Sequence, residues 1–293
     1  MAKDTLSSRV EHVLEQVEAH GPCWFVTRRI LRDVDGALVV WHARRHRKAL
    51  TMHAIETTIW QPRQLNWWIG LIFMLGASLF ALGSLLCLAP SLATQLGLSS
   101  AQVNASFFIG SIPFTTAAYL QLYQAANAPG FNTAQPSNAK RAYFGWKPQD
   151  AGWISCVLQF IGTILFNFNT FDASLADLSW AKEALLVWVP NIVGSILFLA
   201  SGYLAFIETC HRLWAFRPRE ISWWVTSANL IGCIAFMISA CFAFVPRQAA
   251  ETETLLSVSI LFTFIGAIGF FVGSFLMWPE IISEAEPSSK PSK

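Results

Sequence analysis

Gly76-Ala77-Ser78-Leu79-Phe80 is the first of six places where a phenylalanine follows a glycine by four residues inside an apolar stretch. The other five pairs are Gly110/Phe114, Gly162/Phe166, Gly194/Phe198, Gly232/Phe236 and Gly266/Phe270. Taken two at a time, the six glycines are separated by 34, 32 and 34 residues. A recurrence at this period indicates a repeated structural unit.

The composition places these stretches in lipid. The 293 residues are 54% hydrophobic and 13% charged, with a mean hydropathy of +0.45, which is too apolar for an ordinary soluble domain. Six runs are long enough to cross a bilayer as helices, and none contains Asp, Glu, Lys, Arg or His. They cover residues 66–88, 103–123, 152–169, 185–207, 222–245 and 255–278. The sequence therefore predicts an all-α membrane protein with six transmembrane helices.

The basic residues fall on one side of the predicted membrane. Eighteen of the 20 Lys and Arg residues lie before the first span, after the second and fourth spans, or in the tail, and only Lys182 and Arg247 lie in the other loops. By the positive-inside rule, both termini are cytoplasmic in a multi-pass protein of the cell inner (plasma) membrane. The spans then form three hairpins of one orientation, 66–123, 152–207 and 222–278, as parallel repeats. A closed ring of hairpins and an irregular bundle both fit this pattern.

The chain divides into residues 1–64, a cytoplasmic α+β domain, residues 65–280, the transmembrane domain, and a disordered cytoplasmic tail, 281–293. In the first part, apolar residues at helical spacing predict an amphipathic helix; they are Leu6, Val10, Val13, Leu14 and Val17. Two β-prone runs, 23–31 and 37–41, predict a hairpin that turns at Gly36. A second short helix is expected over 49–60.

Arg44, Arg45, Arg47 and Lys48 form the strongest charge feature of the chain. Basic clusters close to a first span anchor a protein on anionic lipid headgroups, and this interpretation is preferred to binding of a phosphorylated ligand or a nucleic acid. The expected partners are the bilayer and its anionic headgroups, with a second copy or another protein as further possibilities, and no nucleic acid. His42 and His46 are four residues apart, but the arginines between them oppose a metal cation, so no metal site is expected.

The repeat glycines lie near the middle of the bilayer, because tryptophans at the starts of the odd-numbered spans fix the depth. Small residues allow helices to approach closely in lipid. The glycines assigned to helix packing are Gly76, Gly162, Gly194, Gly232, Gly266, Gly269 and Gly273. A substrate pocket lined by small residues is the alternative.

Neutral polar groups at membrane depth are the remaining candidates for function. They either join helices by hydrogen bonds or form a site for a neutral or zwitterionic ligand around a kink at Pro113. The candidate ligand-binding residues are Gly110, Pro113, Thr115, Thr116, Gln159, Asn167 and Asn229. Spans without lysine, histidine or carboxylate oppose a retinal Schiff base, bis-histidine haem and proton-coupled transport. The sequence has no catalytic motif, so neither an enzyme nor a cofactor is predicted.

A family resemblance lies mainly in the last hairpin. The stretches Asn229–Phe236 and Phe264–Glu280 resemble the two-helix YrhK-like module of bacterial membrane proteins, and Trp68–Phe80 is similar to its first helix. Trp24–Thr27 and Trp41–Lys48 are similar to stretches that precede the spans in uncharacterised multi-pass proteins. The resemblance implies a membrane protein without an established activity or catalytic residues.

Two hypotheses for function follow. The first is a non-enzymatic structural or interaction protein whose cytoplasmic domain contacts lipid or a partner, and it expects a closed bundle. The second is an uncoupled facilitator, a channel or carrier, for a neutral or apolar small molecule.

Overall fold

The computed structural model describes residues 15–32, 36–48, 50, 58–128, 141–174, 179–244 and 252–285. The N-terminal part contains an antiparallel three-stranded sheet in the order β1 (Glu15–His20), β2 (Arg28–Arg32) and β3 (Leu38–His42). Strands β2 and β3 overlap the two predicted β-prone runs, and Gly36 between them has a φ of 79°, which glycine adopts without strain. Strand β3 leads directly into a short helix, α1 (Ala43–Arg47).

The helices predicted in the N-terminal part need correction. Most of the first one, residues 1–14, lies outside the described residues, but its last apolar residue, Val17, belongs to strand β1. Backbone pairing of β1 with β2, from Glu15 opposite Arg32 to His20 opposite Arg28, overrides the local helical pattern. Of the predicted helix at 49–60, residues 49 and 51–57 are outside the description, and residues 58–60 are not helical.

Most of the described chain is helical. The helices that follow are α2 (Leu65–Leu88), α3 (Pro90–Gln95), α4 (Ser100–Asn127), α5 (Ala151–Asp172), α6 (Trp180–Glu183), α7 (Val189–Cys210), α8 (Ile221–Phe242) and α9 (Thr252–Ala285). A π-helical turn, Ala184–Trp188, joins α6 to α7. Within the part of the chain that the structure describes, five segments are long and apolar enough to cross a membrane: Leu65–Leu88, Ala151–Asp172, Trp180–Cys210, Ile221–Phe242 and Glu253–Ser283. The chain is that of a multi-pass membrane protein.

The long helices form a closed ring. Helix α2 packs against α4, α4 against α5, α5 against α7, α7 against α8, α8 against α9, and α9 returns to α2. Large apolar side chains cover the outside of this ring, among them Leu75, Ile161, Ile196, Ile231 and Phe275. Such a surface suits a lipid solvent and would be costly in water.

Glycine and phenylalanine side by side set the distance between paired helices. A methyl group at Gly76 would lie 2.7 Å from Phe114 Cδ2 and 2.9 Å from the carbonyl oxygen of Gly110. In return, a methyl group at Gly110 would lie 3.0 Å from Phe80 Cδ2. The same exchange joins α5 with α7 and α8 with α9: Gly162 faces Phe198 and Gly194, and Gly232 faces Phe270 and Gly266. Each phenylalanine therefore occupies the space that a glycine of its partner helix leaves.

This geometry predicts whether an alanine in place of a repeat glycine stabilises or destabilises the protein. Alanine is a better helix former than glycine by about 1 kcal/mol, so Gly76→Ala in an open helix would stabilise the protein. Here the new methyl group meets backbone and an aromatic ring, and we expect a loss of about 1–3 kcal/mol. Unfolding in mixed micelles measures the change, with Leu75→Ala on the exposed face of the same helix as the control. A stabilised Gly76→Ala variant would contradict the packing described.

Candidate functional site

Six phenylalanines, one from each long helix, meet on the axis of the ring. The Phe236 ring centroid lies 5.5 Å from that of Phe270, 5.9 Å from Phe166, 6.2 Å from Phe80 and 6.4 Å from Phe198. Phe114 completes the group through Phe80 and Phe270, at 5.5 Å and 5.6 Å. These are the phenylalanines of the Gly-x-x-x-Phe pairs, and together we call them the phenylalanine layer. Offset and edge-to-face contacts at these distances are favourable.

A cavity of about 430 Å³ lies on one side of the phenylalanine layer, and we call it the outer cavity. All six long helices line it, and five phenylalanines of the layer form its floor. Polar groups occupy its wall: Asn104, Ser111, Thr163, Asn169, Thr170, Asn191, Ser239, Ser259 and Thr263. Several hydroxyls bond between helices; the Ser239 oxygen lies 3.1 Å from Ser259 Oγ and 2.7 Å from Thr263 Oγ1. The volume is that of a small-molecule site.

A second cavity, of about 60 Å³, lies on the other side of the layer, and we call it the inner cavity. Phe198 borders both cavities, so the phenylalanine layer lies between them. The inner wall carries Gln159, Asn229 and Thr226 with other neutral groups, and its far end is closed by Arg44, Arg47 and Lys48. The axis therefore passes from a larger cavity through aromatic rings into a smaller polar one.

Helix α1 closes the inner cavity with a cluster of buried ion pairs. Arg47 Nη2 donates to Glu208 Oε2 at 2.7 Å, and its Nε donates to Oε1 at 3.3 Å. Arg44 donates from Nε and Nη2 to Glu280 Oε1 at 3.0 Å and 2.9 Å. Lys48 Nζ reaches Glu280 Oε2 at 2.5 Å. Both carboxylates are fully buried, and a charge so placed requires a partner.

Two amides and a glycine of the ring helices also accommodate α1 and Lys48. The amides of Asn66 and Gln124 donate to the carbonyl oxygen of Lys48, at 2.7 Å and 3.4 Å. A methyl group at Gly152 would collide with Arg47 and Glu208, so this glycine makes room for the ion pair. Burial opposes the charge on Arg47, but the carboxylate of Glu208 and its hydrogen bonds outweigh this effect and hold the Arg47 pKa above the ordinary value. Burial and the nearby Arg44 lower the Lys48 pKa to about 8, against the opposing attraction of Glu280.

The predicted ligand-binding residues do not form one site. Gln159 and Asn229 line the inner cavity, whereas Gly110 packs against Gly76 and Thr116 is exposed, bonded to the carbonyl of Ile112. Asn167 Nδ2 donates to Thr115 Oγ1 at 2.9 Å and so joins α5 to α4.

Pro113 lies within α4 and is half-buried, and the helix continues through it. None of the seven predicted residues lines the outer cavity. The predicted packing glycines all lie in close contacts: beside the pairs described, Gly269 approaches Ala228 and Gly273 approaches the amide of Asn229.

The structure buries three of the four residues of the basic run, for which the sequence predicted contact with lipid headgroups. Arg44, Arg47 and Lys48 are 8%, 7% and 3% exposed, because helical spacing of three and four residues places them on one face, which points into the ring. Arg45 is half-buried. Basic side chains near a membrane neutralise whichever anions are nearest, and here buried glutamates replace lipid phosphates.

Glu208 and Glu280 are the site residues that sequence reasoning missed, because the predicted spans end at 207 and 278. A signal for them exists in the repeat. Fourteen residues after Gly110, Gly194 and Gly266 come Gln124, Glu208 and Glu280, and all three contact α1 or Lys48.

The starts of the odd-numbered predicted spans carry a second recurrence, of which the sequence analysis used only the tryptophans. An aromatic residue, a proline and a tryptophan recur there as Trp60/Pro62/Trp67, Trp146/Pro148/Trp153 and Phe216/Pro218/Trp223, with each tryptophan nine residues before a repeat glycine. The aromatic partners of each set touch, at centroid distances of 4.9, 5.7 and 5.2 Å.

Two histidines connect the sheet to the end of α7. His42 Nδ1 lies 2.9 Å from His211 Nε2, and His211 Nδ1 lies 2.9 Å from Thr27 Oγ1. Burial lowers the pKa of His42 to about 4, helped by Arg45, and that of His211 to about 3, helped by His42. Within the described part of the chain, no third histidine, cysteine or carboxylate turns the pair into a metal-binding group.

Comparison with known proteins identifies no relative of this chain. No family model matches the chain, and no curated protein or solved structure is significantly similar to it. The resemblance to the YrhK-like module stays a prediction.

The buried pair between Arg47 and Glu208 generates a stability prediction. Arg47→Ala leaves Glu208 without its bidentate partner, and we expect the free energy of unfolding to fall by about 3–5 kcal/mol. The double variant Arg47→Met/Glu208→Gln removes both charges and should lose less than Arg47→Ala alone. Arg63→Ala, at an exposed arginine, is the matched control and should change stability by less than about 0.5 kcal/mol. Equal losses in the single and double variants would contradict the pairing.

The histidine pair generates a pH prediction. Both folded-state pKa values lie below the ordinary 6.5, so the unfolded chain takes up protons first as the pH falls. The stability from the neutral imidazoles is present above about pH 6.5 and is lost toward pH 4 and then 3, by up to about 1.4 kcal/mol per pH unit for each histidine. His211→Asn should flatten this slope in thermal unfolding, and Leu38→Ala, at an exposed residue of the same sheet, should not. An unchanged slope in His211→Asn would show that other groups cause it.

Proposed function

We propose that this protein is a six-span protein of the inner membrane that lets small neutral molecules cross along the axis of its helix ring. Transport would be uncoupled from ion gradients. The two cavities in line on that axis carry the proposal. A purely structural role expects a closed bundle, and a cavity of about 430 Å³ that all six long helices line favours the facilitator instead.

The sixth span in this proposal is α4. Its 28 residues include no Asp, Glu, Lys, Arg or His, and at 1.5 Å per residue they exceed the thickness of a bilayer core, which is about 30 Å. Its amides and hydroxyls lower its hydropathy relative to the other helices, yet Ile109 and Ile112 are exposed on its outer face. The recurrent glycines, phenylalanines and tryptophans support three copies of one hairpin.

The proposed orientation puts the sheet, α1 and both termini in the cytoplasm. The bias of Lys and Arg toward that side supports it, as do the exposed aromatic residues there. Trp60, Trp146 and Phe216 are 69%, 80% and 71% exposed, as suits aromatic rings among lipid headgroups. The outer cavity then faces the periplasmic half of the membrane and the inner cavity faces the cytoplasm.

The lining of the pathway indicates the solute class. Phenyl rings form the floor of the outer cavity, and hydroxyls and amides form its wall. Glu183, an exposed residue, is the one ionisable carboxylate among the described lining residues of that cavity. An ion would lose its hydration at the phenylalanine layer without compensation. A small neutral molecule with hydrogen-bonding groups meets no such cost.

Flux through proteoliposomes tests the proposal, with glycerol and urea as probes and stopped-flow light scattering as the readout. The wild-type protein should exceed empty vesicles for at least one probe. Phe236→Ala removes the ring at the centre of the phenylalanine layer and should raise the rate about tenfold, which corresponds to a barrier lowered by ~1.4 kcal/mol.

The matched control is Phe275→Ala, which removes an exposed phenyl ring from the outer face of α9. This variant should behave as the wild type. Because α1 closes the inner cavity through its ion pairs with Glu280, the double variant Phe236→Ala/Glu280→Gln is measured as well. If vesicles that contain the wild type, Phe236→Ala or this double variant all swell no faster than empty ones, the facilitator proposal fails.

A further inference from the structure

The contacts of α1 differ from those of an ordinary surface helix. Arg44, Arg47 and Lys48 are held by groups on five of the six ring helices: Asn66 on α2, Gln124 on α4, Cys156 on α5, Glu208 on α7 and Glu280 on α9. Helix α1 thus lies across the mouth of the ring. We propose that α1 is a detachable plug, an autoinhibitory element of the chain that closes the cytoplasmic end of the axial pathway.

Positions in the ring that receive the plug are related to one another. Gln124, Glu208 and Glu280 each follow a repeat glycine by fourteen residues, so they reach the mouth at one level. Two are carboxylates and receive cations, whereas Gln124 faces the carbonyl oxygen of Lys48. A carboxylate at 124 would repel that oxygen, and an amide donates to it. The ring residues at these three positions therefore complement the groups of the plug that they contact.

The buried ion pairs do not make the closure by α1 permanent. Desolvation of a buried ion pair offsets most of its Coulomb attraction, and withdrawal of one partner alone is the expensive step. Movement of α1 as a unit returns its three cations and the two glutamates to water together, so the ions regain their hydration. The ion-pair cluster determines where α1 docks. Because both sides regain hydration together, release of the whole helix requires little free energy.

The chain attaches the plug to its neighbours on two sides. On one side, β3 continues into α1, with Ala43 N–H donating to Thr27 O at 2.9 Å. On the other side, residues 49–64 connect it to α2, and Leu50 among them is buried in one cluster with Trp67 and Ile281. Withdrawal of the plug must therefore also release Leu50 from Trp67 and Ile281.

Native cysteines report whether the plug is in place. Cys156 and Cys233 both line the inner cavity and are 3% exposed, and Arg47 Nη1 covers Cys156 at 3.6 Å from its sulfur. The inference rests on the proposed pathway for its biological meaning, but thiol labelling does not require a transported solute. Failure of the plug and failure of the facilitator are therefore distinguishable.

The experiment uses the full chain in proteoliposomes and a charged, membrane-impermeant methanethiosulfonate, with mass spectrometry of the Cys156 peptide. Glu280→Gln weakens the hold on Arg44 and Lys48, at the side of the plug away from the Arg47 pair. If α1 moves as a unit, this change should raise labelling of Cys156 at least several-fold over the wild type. Arg63→Ala, which changes an exposed arginine on the same side, should leave Cys156 protected.

Cys87, at the far end of the outer cavity, reports on general unfolding and should keep its wild-type labelling. If both cysteines become reactive in Glu280→Gln, Lys48→Met replaces it, since that change keeps the pair between Arg44 and Glu280. Protection of Cys156 in a folded Glu280→Gln or Lys48→Met variant overturns the proposal, whatever the flux measurements show.

Discussion

The fold depends on how closely two helices can approach when no hydrophobic force draws them together. Within lipid, association relies on backbone contact and packing, and glycine permits both. In each helix pair, the glycine of one member admits the phenylalanine of the other, as Gly162 admits Phe198. A side chain at the glycine would push the helices apart and withdraw the rings from the axis. The six rings can therefore meet at the centre only because six glycines hold their helices close.

A second constraint applies at the mouth of the ring, where buried carboxylates need positive partners. Glu208 and Glu280 are fully buried at the ends of apolar helices, and the positive groups that balance them come from a segment distant in sequence. The pairing of Arg44 with Glu280 spans 236 positions. This arrangement ties the small sheet to the helix ring, with the bond between His42 and His211 as a further link. A sheet of three short strands would have little core of its own.

The positions of the helices were easier to predict from the sequence than the residues of the site. Apolar runs without charge identified the helices well, and β-prone runs identified β2 and β3, since both patterns are local. Strand β1 was missed because its residues, such as Val17, are strand only by pairing with β2. The ionic site was missed for a related reason: a span defined by the absence of charge must end before Glu208. The periodicity of fourteen residues after the repeat glycines carries that information, but it is visible only once the repeats are aligned with one another.

The two closures on the axis differ physically, and the difference bears on function. The phenylalanine layer is held by dispersion and by close packing in the middle of the ring, so it can open only if helices separate or rings rotate. The ionic closure is separable, since its charges lose attraction and regain hydration in the same movement. An aromatic layer of this kind selects against ions by desolvation, whereas the plug has no comparable means of telling solutes apart. In the proposed pathway, selectivity would therefore belong to the layer and control to the plug, and the Gly-x-x-x-Phe repeat would supply the layer.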